Sequence, residues 1–298
     1  MKQTLLLAAT AVGLSAGIAQ AEFAVGGWVN LEYEDQYGDY RKTLRGDVLA
    51  TYGTQGGLTF GVGLRGDLED SGDTSGFERR RGGVYGLVSF GDGISSFGEV
   101  TVSYGDIWGA GNLFPEEYFG FDDTTSTDDD TLRVDLKFGN HQIAFSNDFN
   151  GVNADWEFGY RGRFGAYAVA VGYENDSEDL GILIGRKLND QFAVHLAIVE
   201  DLDESEDAAD HQGISLIYTP NDRFTLGLNA ARYNEGFHSA GVLVSYTTDR
   251  VILKAEYVKF HDDDDDQFEF GVVIPFGRTQ PAHDARFTFT DYTGFGLF

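Results

Sequence analysis

Residues Leu58–Leu68 read LTFGVGLRGDL, and their side chains alternate between two chemical classes. The apolar positions hold Leu58, Phe60, Val62, Leu64 and Leu68, and the positions between them hold Thr59, Gly61, Gly63, Arg65 and Asp67. Successive side chains of a β-strand point to opposite faces of its sheet. The stretch therefore predicts a strand with one apolar face and one polar face.

The same alternation recurs along most of the chain. The composition fits strands and tight turns, with 40 Gly, 24 Phe and 15 Tyr but only 4 Pro and no Cys in 298 residues. Counting such segments predicts sixteen strands, and the chain is expected to be all-β. The predicted strands span residues 22–34, 41–54, 57–69, 80–91, 96–105, 131–139, 141–148, 153–162, 165–175, 179–188, 191–201, 210–219, 222–233, 237–248, 250–261 and 267–276.

The connections between these segments are of two kinds. Every second one is short and built from turn residues, as in Gly139-Asn140 and Thr248-Asp249-Arg250. The others are mostly longer or more acidic, as in 106–130 and 200–210. An outer-membrane barrel has short periplasmic turns and longer external loops, whereas a soluble sandwich has no reason to separate them. We therefore predict a transmembrane antiparallel β-barrel with its apolar face towards lipid; a soluble secreted β protein is the alternative.

The beginning of the chain is set apart from the barrel. Residues 1–21 combine Lys2, an apolar run and the small-x-small site Ala19-Gln20-Ala21. This pattern is typical of a cleaved signal peptide, so the chain is expected to be exported and to begin at Glu22 after cleavage. A membrane anchor is the alternative, but the apolar run is short and is broken by two glycines.

The end of the chain leaves two interpretations open. The barrel is expected to span 22–276, and its last segment, FEFGVVIPF at 268–276, has the alternation and final Phe typical of a closing strand in an outer-membrane barrel. The chain nevertheless continues to a terminal Phe298. Residues 277–298 are therefore either a C-terminal extension or the closing strand itself.

The longest interruption of the alternating pattern lies at 104–131 and reads YGDIWGAGNLFPEEYFGFDDTTSTDDDT. It is acidic, aromatic and rich in glycine. A loop of this length is usually either functional or disordered. We predict that it sets the bore of the barrel.

The signal peptide and two further stretches carry a resemblance to a known family. These stretches are LTFGVGLRGDLEDSGD at 58–73 and GDGISSFGEVTVSYGD at 91–106, which runs directly into the long loop. With them the chain resembles the sixteen-stranded general diffusion porins of Gram-negative bacteria, particularly the alphaproteobacterial type, over essentially its whole mature length. The resemblance implies a homotrimer in the bacterial outer membrane. It also implies a third external loop, after strand five, that folds inward and narrows a passive channel for ions and small hydrophilic solutes.

The predicted strand parity turns a set of arginines towards the lumen. In the family that the chain resembles, arginines on these strands face carboxylates of the inward loop, which implies a constriction with a transverse field. The basic candidates are Arg45, Arg65, Arg79, Arg81 and Arg133, and the acidic candidates are Asp106, Glu116, Glu117, Asp122 and Asp123. The alternative is local pairing of the arginines with Asp47, Asp67 and Glu78.

The formal net charge of −28 bears on the partners of the chain. It argues against nucleic acids and anionic membrane surfaces and predicts a cation-preferring pore. Two aspartate runs, Asp128, Asp129 and Asp130 and then Asp262, Asp263 and Asp264, lie at predicted loop tips. They read either as solvated loops or as weak Ca²⁺ or Mg²⁺ sites shared with lipopolysaccharide phosphates. The other expected partners are outer-membrane lipids, and no further cofactor is expected.

No motif in the sequence predicts catalysis. The six His are scattered, and no P-loop, dinucleotide fingerprint or zinc spacing occurs. The chain is therefore not expected to be an enzyme. Two alternatives to a general diffusion channel remain: a solute-specific outer-membrane channel, and a structural or adhesive barrel whose loop plugs the lumen so that it conducts nothing.

Overall fold

A computed structural model describes residues 22–36, 39–54, 56–70, 78–91, 98–113, 127–149, 155–175, 178–201, 211–233, 236–261 and 266–277. These residues form sixteen strands and a short 3-10 helix, Ala110–Leu113. No helix in this part of the chain is long and apolar enough to cross a membrane. The strands are β1 Glu22–Gln36, β2 Asp39–Gly53, β3 Leu58–Asp70, β4 Glu78–Phe90, β5 Glu99–Trp108, β6 Thr127–Phe138, β7 His141–Asp148, β8 Asp155–Phe164, β9 Tyr167–Glu174, β10 Asp179–Lys187, β11 Phe192–Asp201, β12 His211–Asn221, β13 Phe224–Tyr233, β14 Gly236–Thr247, β15 Ile252–Phe260 and β16 Asp266–Gly277.

The strands form one closed antiparallel barrel in which each strand pairs with its sequence neighbours. The barrel closes between β1 and β16, in a ladder that runs from Gly26 opposite Gly277 to Gln36 opposite Gln267. This topology confirms the predicted all-β fold class and the strand number. The closing strand is β16, and residues 278–298 lie outside the described part of the chain.

The observed strand boundaries are close to the predicted ones. The largest shift is at β6, which begins at Thr127 rather than at residue 131. β8 runs on to Phe164, through residues that the sequence had assigned to a turn, and the turn itself is Gly165-Ala166. Gly165 has a φ of +64°, which is the left-handed conformation that glycine adopts at little cost.

The two faces of the barrel differ in the way that the alternation predicts. Val62 and Val84 point outward and are 55% and 58% exposed. Gly63 and Tyr85, which follow these valines in the chain and pair with each other in the ladder, point inward, and Tyr85 is buried. A Cβ at Gly63 would overlap the Tyr85 ring, so glycine makes room for it. The barrel therefore presents apolar side chains to its surroundings and turns most of its polar side chains inward, beside buried apolar ones such as Leu49 and Leu183.

Aromatic side chains collect on the outer face where β6, β7 and β8 meet their short turns. The His141 ring stacks on Phe138 with ring centroids 5.2 Å apart, and it lies 4.9 Å from the Phe164 centroid. His141 Nδ1 is 3.0 Å from the Tyr160 hydroxyl. Such an aromatic group is typical of the interfacial girdle of a membrane barrel. We call this end, which carries the Gly139-Asn140 turn, the short-turn end.

Candidate functional site

The chain leaves the wall at the end of β5 through a β-bulge. The β5–β6 register shifts between Gly105 and Ile107. Gly105 has a φ of +125°, and a Cβ there would lie 2.4 Å from the carbonyl oxygen of Val84. A β-bulge bends its strand and changes the direction in which the following side chains point. Ile107 is buried against the inward-facing Tyr85, so the bulge turns the chain towards the inside of the barrel.

The residues that follow, Gly109–Leu113, are here called the loop base. The backbone N–H of Ala110 donates a hydrogen bond of 2.7 Å to Ser146 Oγ, and that of Gly111 donates one of 2.7 Å to Glu157 Oε2. Ser146 and Glu157 are paired on the inner faces of β7 and β8, and both are buried. The loop base therefore lies inside the barrel, against the wall beyond β6.

Close packing adds to these hydrogen bonds. A Cβ at Gly159 would lie 1.9 Å from the carbonyl oxygen of Ala110, so only glycine lets the loop base approach β8 this closely. Ala110 and Leu113 also form a buried apolar contact with Ala144 of β7. The loop base therefore fits closely against the inner wall at β7 and β8.

Arg133 of β6 joins the loop base to the wall. Its guanidinium is fully buried and donates to both carboxylate oxygens of Asp135, at 3.0 and 2.9 Å. Its Nη1 donates to the carbonyl oxygen of Gly109 at 2.7 Å. Asp135 Oδ1 also accepts a hydrogen bond of 2.8 Å from Gln142. Arg133 thus lies beneath the loop base, and its side chain has no surface facing water.

The other two candidate arginines with described side chains, Arg45 and Arg65, lie on β2 and β3. Arg45 Nε is 3.5 Å from Asp67 Oδ2 on the inner face, and each side chain is only about a fifth exposed. Arg65 lies opposite Asp47 in the β2–β3 ladder. These arginines have carboxylates on their own wall, which is the local pairing that the sequence left open as an alternative.

Asp106 is the acidic candidate whose side chain the structure describes. It is 1% exposed, and it lies over Gly83, where a Cβ would meet its carboxylate. Asp106 therefore lies against β4, at the point where the chain leaves the wall.

The remaining predicted site residues fall outside what the structure describes, in whole or in side chain. The unplaced residues are Glu116, Glu117, Asp122, Asp123, Asp262, Asp263 and Asp264, and only the backbone is described for Arg79, Arg81, Asp128, Asp129 and Asp130. The backbone of Arg81 pairs with that of Asp67, and the ladder then shifts so that Arg79 pairs with Leu68. Among the described residues, no group of three or more His, Cys, Asp or Glu is arranged to hold a metal. The constriction and the divalent-cation sites stay predictions.

Several residues that organise the inner wall were not singled out from the sequence. Lys254 of β15 bridges the closure of the barrel, with its Nζ 3.0 Å from Glu32 Oε2 and in an ion pair with Glu269. Ser146 and Glu157 accept the hydrogen bonds of the loop base. Strand parity places all of them inward, but parity gives no signal for which inward residues contact a loop.

Comparisons with known proteins bear on the fold. No family model matches the sequence, and no curated protein matches it. Two solved structures of Rhodopseudomonas blastica porin mutants are 14% and 15% identical in sequence, each with a TM-score of 0.66. A solved structure described as "Asymmetric conductivity of engineered proteins" is 15% identical with a TM-score of 0.67. Each similarity covers 86% of this chain and 100% of the other. The chain is therefore a closed sixteen-stranded β-barrel with the fold of these porins.

Proposed function

We propose that the chain is a passive diffusion channel for ions and small hydrophilic solutes in the bacterial outer membrane. The observation that carries this proposal is the closed barrel with an apolar outer face and a polar inner face, entered by a loop base that takes up only part of its wall. A soluble protein of this size would have to expose this apolar outer face to water, which is unfavourable. The short-turn end then faces the periplasm.

Cation preference is supported by the charges of the inner face. Among described side chains, inward carboxylates outnumber inward basic groups. The carboxylates are Glu32, Glu34, Asp47, Asp67, Glu69, Glu99, Asp135, Asp148, Asp155, Glu157, Glu174, Asp179, Glu256 and Glu269, and the basic groups are Arg41, Arg45, Arg65, Arg133, Lys137, Arg161, Arg163, Lys187 and Lys254. A lumen with excess negative charge concentrates cations.

The constriction is proposed to form where residues 106–130 cross the lumen. The inward course of the loop base supports this, because it starts the loop on the inner wall. Assembly as a homotrimer, contact with lipopolysaccharide and binding of Ca²⁺ or Mg²⁺ by the aspartate runs are further parts of the proposal. They rest on the sequence resemblance and on the charge of the loops.

Single-channel conductance in a planar bilayer tests the proposal. We expect steady open steps under a potassium chloride gradient. The sign of the reversal potential is expected to show a preference for cations over anions. Open steps with anion preference would keep the channel and overturn the charge argument. Folded protein that inserts but never conducts would instead support the structural or adhesive barrel. Saturation by one solute would favour the solute-specific channel.

A further inference from the structure

Arg186 points away from the lumen, towards the surroundings of the barrel. It is the penultimate residue of β10 and shares the outer face with the exposed side chains of Ile182 and Ile184. Its own side chain is exposed as well. Because β10 runs in the same direction as β6, it ends at the short-turn end. Arg186 is therefore a cation on the apolar outer face, close to that end.

The ring of Tyr167 supports the Arg186 side chain. The two residues are partners in the ladder between β9 and β10, and the guanidinium carbon lies 5.4 Å from the ring centroid. The aromatic ring attracts the cation and covers one face of the guanidinium plane. The N–H groups lie in that plane and point away from the ring. Within the described part of the chain they form no ion pair or hydrogen bond, so they can bind a ligand.

The neighbours of Arg186 on the outer face supply no negative charge. Its partner in the other ladder is Val194 of β11, and Phe164 lies beyond Tyr167 in the same row of the sheet. The carboxylate of the next turn, Asp190, is 3.6 Å from Lys187 Nζ. An exposed cation on an apolar face thus lacks an anion from the surface around it.

A similar pair at the opposite end of the barrel does have a carboxylate. Lys42 Nζ on β2 lies 4.6 Å from the centroid of the Tyr40 ring, and it is also 3.7 Å from Asp70 Oδ2. The same combination of a cation and an aromatic ring is therefore neutralised by the chain itself at the long-loop end. At the short-turn end the anion has to come from outside the chain.

Aromatic side chains place Arg186 at a definite level of the outer face. Phe192 and Tyr218, one row nearer the turns, stack with ring centroids 4.7 Å apart, and Phe164 and Tyr167 are exposed. In an outer-membrane barrel such aromatics mark the boundary between hydrocarbon and lipid head groups. An arginine at this level can keep its stem on apolar surface while its charged end reaches the head groups. The adjoining turn leaves room for one, because a Cβ at Gly165 would meet nothing within 4 Å.

We propose that Arg186, supported by Tyr167, binds the phosphate of a net-anionic phospholipid in the leaflet at the short-turn end. This inference rests on the membrane location in the proposed function and does not depend on conduction. A guanidinium binds two phosphate oxygens side by side. A net-anionic head group is favoured over a zwitterionic one, because an ammonium group would bring a further positive charge beside Arg186 and Lys187. The site is a local exception to the acidic character of a chain whose net charge is −28.

Titration of the folded barrel in detergent with phosphatidylglycerol, followed by native mass spectrometry, tests the site. One phosphatidylglycerol is expected to bind more tightly than diacylglycerol with the same acyl chains, which has no phosphate. R186Q is expected to weaken phosphatidylglycerol binding about tenfold, because hydrogen bonds to charged groups are strong. R186K keeps the charge without the paired donors and is expected to lie between the two. R223Q removes a positive charge from an exposed turn at the same end and is expected to change nothing.

The same titration contains the results that would overturn the site. Equal affinity for phosphatidylglycerol and diacylglycerol refutes recognition of the phosphate, and unchanged binding by R186Q refutes the role of Arg186. Inorganic phosphate that displaces the lipid at equal concentration would show a site for free anions and refute the lipid assignment. If R186Q instead reduces the number of chains in the assembly and leaves lipid binding unchanged, Arg186 contacts a second copy of the chain, and the lipid site is refuted.

Vesicle flotation and bilayer recording separate this inference from the proposed function. A barrel that does not float with phosphatidylcholine vesicles refutes the membrane location, and the titration in detergent still decides whether Arg186 binds the lipid. A barrel that inserts and conducts, with equal phosphatidylglycerol affinity in R186Q, refutes the lipid site and leaves the channel standing. A barrel that inserts, binds the lipid through Arg186 and never conducts refutes the channel alone.

Discussion

Replacing Arg133 by methionine tests whether this buried arginine holds the loop base in the barrel. The guanidinium donates twice to Asp135 and once to the carbonyl oxygen of Gly109, and its side chain is completely buried. Methionine has a similar length and no donors. The substitution therefore leaves Asp135 as a buried charge without its cation and leaves the Gly109 carbonyl without this donor.

The expected cost follows from these contacts. Removing one partner of a buried ion pair costs about 3–5 kcal/mol in free energy of unfolding. Of this, the charge-assisted bond to Gly109 contributes about 1.5–3 kcal/mol to the loop base itself. The bond from Gly111 to Glu157 is of the same kind, and the bond from Ala110 to Ser146 is worth about 1 kcal/mol. Losing Arg133 thus shifts the equilibrium between docked and undocked loop base about 10- to 150-fold.

Two measurements test the loss of stability and the undocking of the loop base separately. Urea unfolding in detergent is expected to give an R133M barrel that is about 3–5 kcal/mol less stable. Single-channel recording is expected to give additional current levels, as the loop base leaves the wall more often. In the double variant R133M/D135N the buried charge is gone, so stability is expected to recover while the additional levels persist. An unfolding free energy within about 1 kcal/mol of the unchanged protein, together with unchanged current, would refute the reasoning. R223M, at an exposed turn, is the control for loss of a positive charge.

Three further substitutions probe other contacts. Gly159→Ala places a Cβ 1.9 Å from the carbonyl oxygen of Ala110, so it is expected to displace the loop base and alter single-channel current, whereas Gly66→Ala meets nothing within 4 Å and is expected to leave the current unchanged. Lys254→Gln leaves two inward carboxylates without their shared cation, so the barrel is expected to unfold at a lower urea concentration. The reversal potential is expected to show a stronger preference for cations. Leu196→Arg puts a charge on the outer face and is expected to cost about 2–4 kcal/mol in a bilayer, with Leu196→Phe as control; a neutral effect would contradict the assignment of that face to lipid.

Most of the fold followed from the sequence because one physical rule governs it. Alternation along segments such as Leu58–Leu68 fixes which side chains share a face, and turn residues such as Gly139-Asn140 fix where the chain reverses. Neither signal needs a contact between distant residues. The sixteen strands and the closed order were therefore predictable, and the boundary errors came at ends such as β6, where polar loop residues continue the ladder.

The contacts at the loop base were not predictable in the same way. Nothing in the spacing of Ser146 or Glu157 distinguishes them from other inward polar residues, because their partners are backbone N–H groups of a loop rather than side chains with a pattern. The β-bulge at Gly105 is similar, since it depends on the approach of Val84 across the sheet. Parity located Arg133 on the inner face and gave no indication that the loop base would cover it.

The local pairing of the arginines changes how charge acts in the lumen. A wall of arginines facing a distant acidic loop would act as separated charges, whose field spans the pore. Arg45 and Asp67 are instead 3.5 Å apart on one wall, and Arg133 forms a buried pair with Asp135. The field of such a close pair falls off faster with distance than that of a single charge, so in the proposed channel these arginines would influence a passing ion mainly at short range. The excess of inward carboxylates over inward basic groups is then the main source of the negative potential on which the proposed cation preference rests.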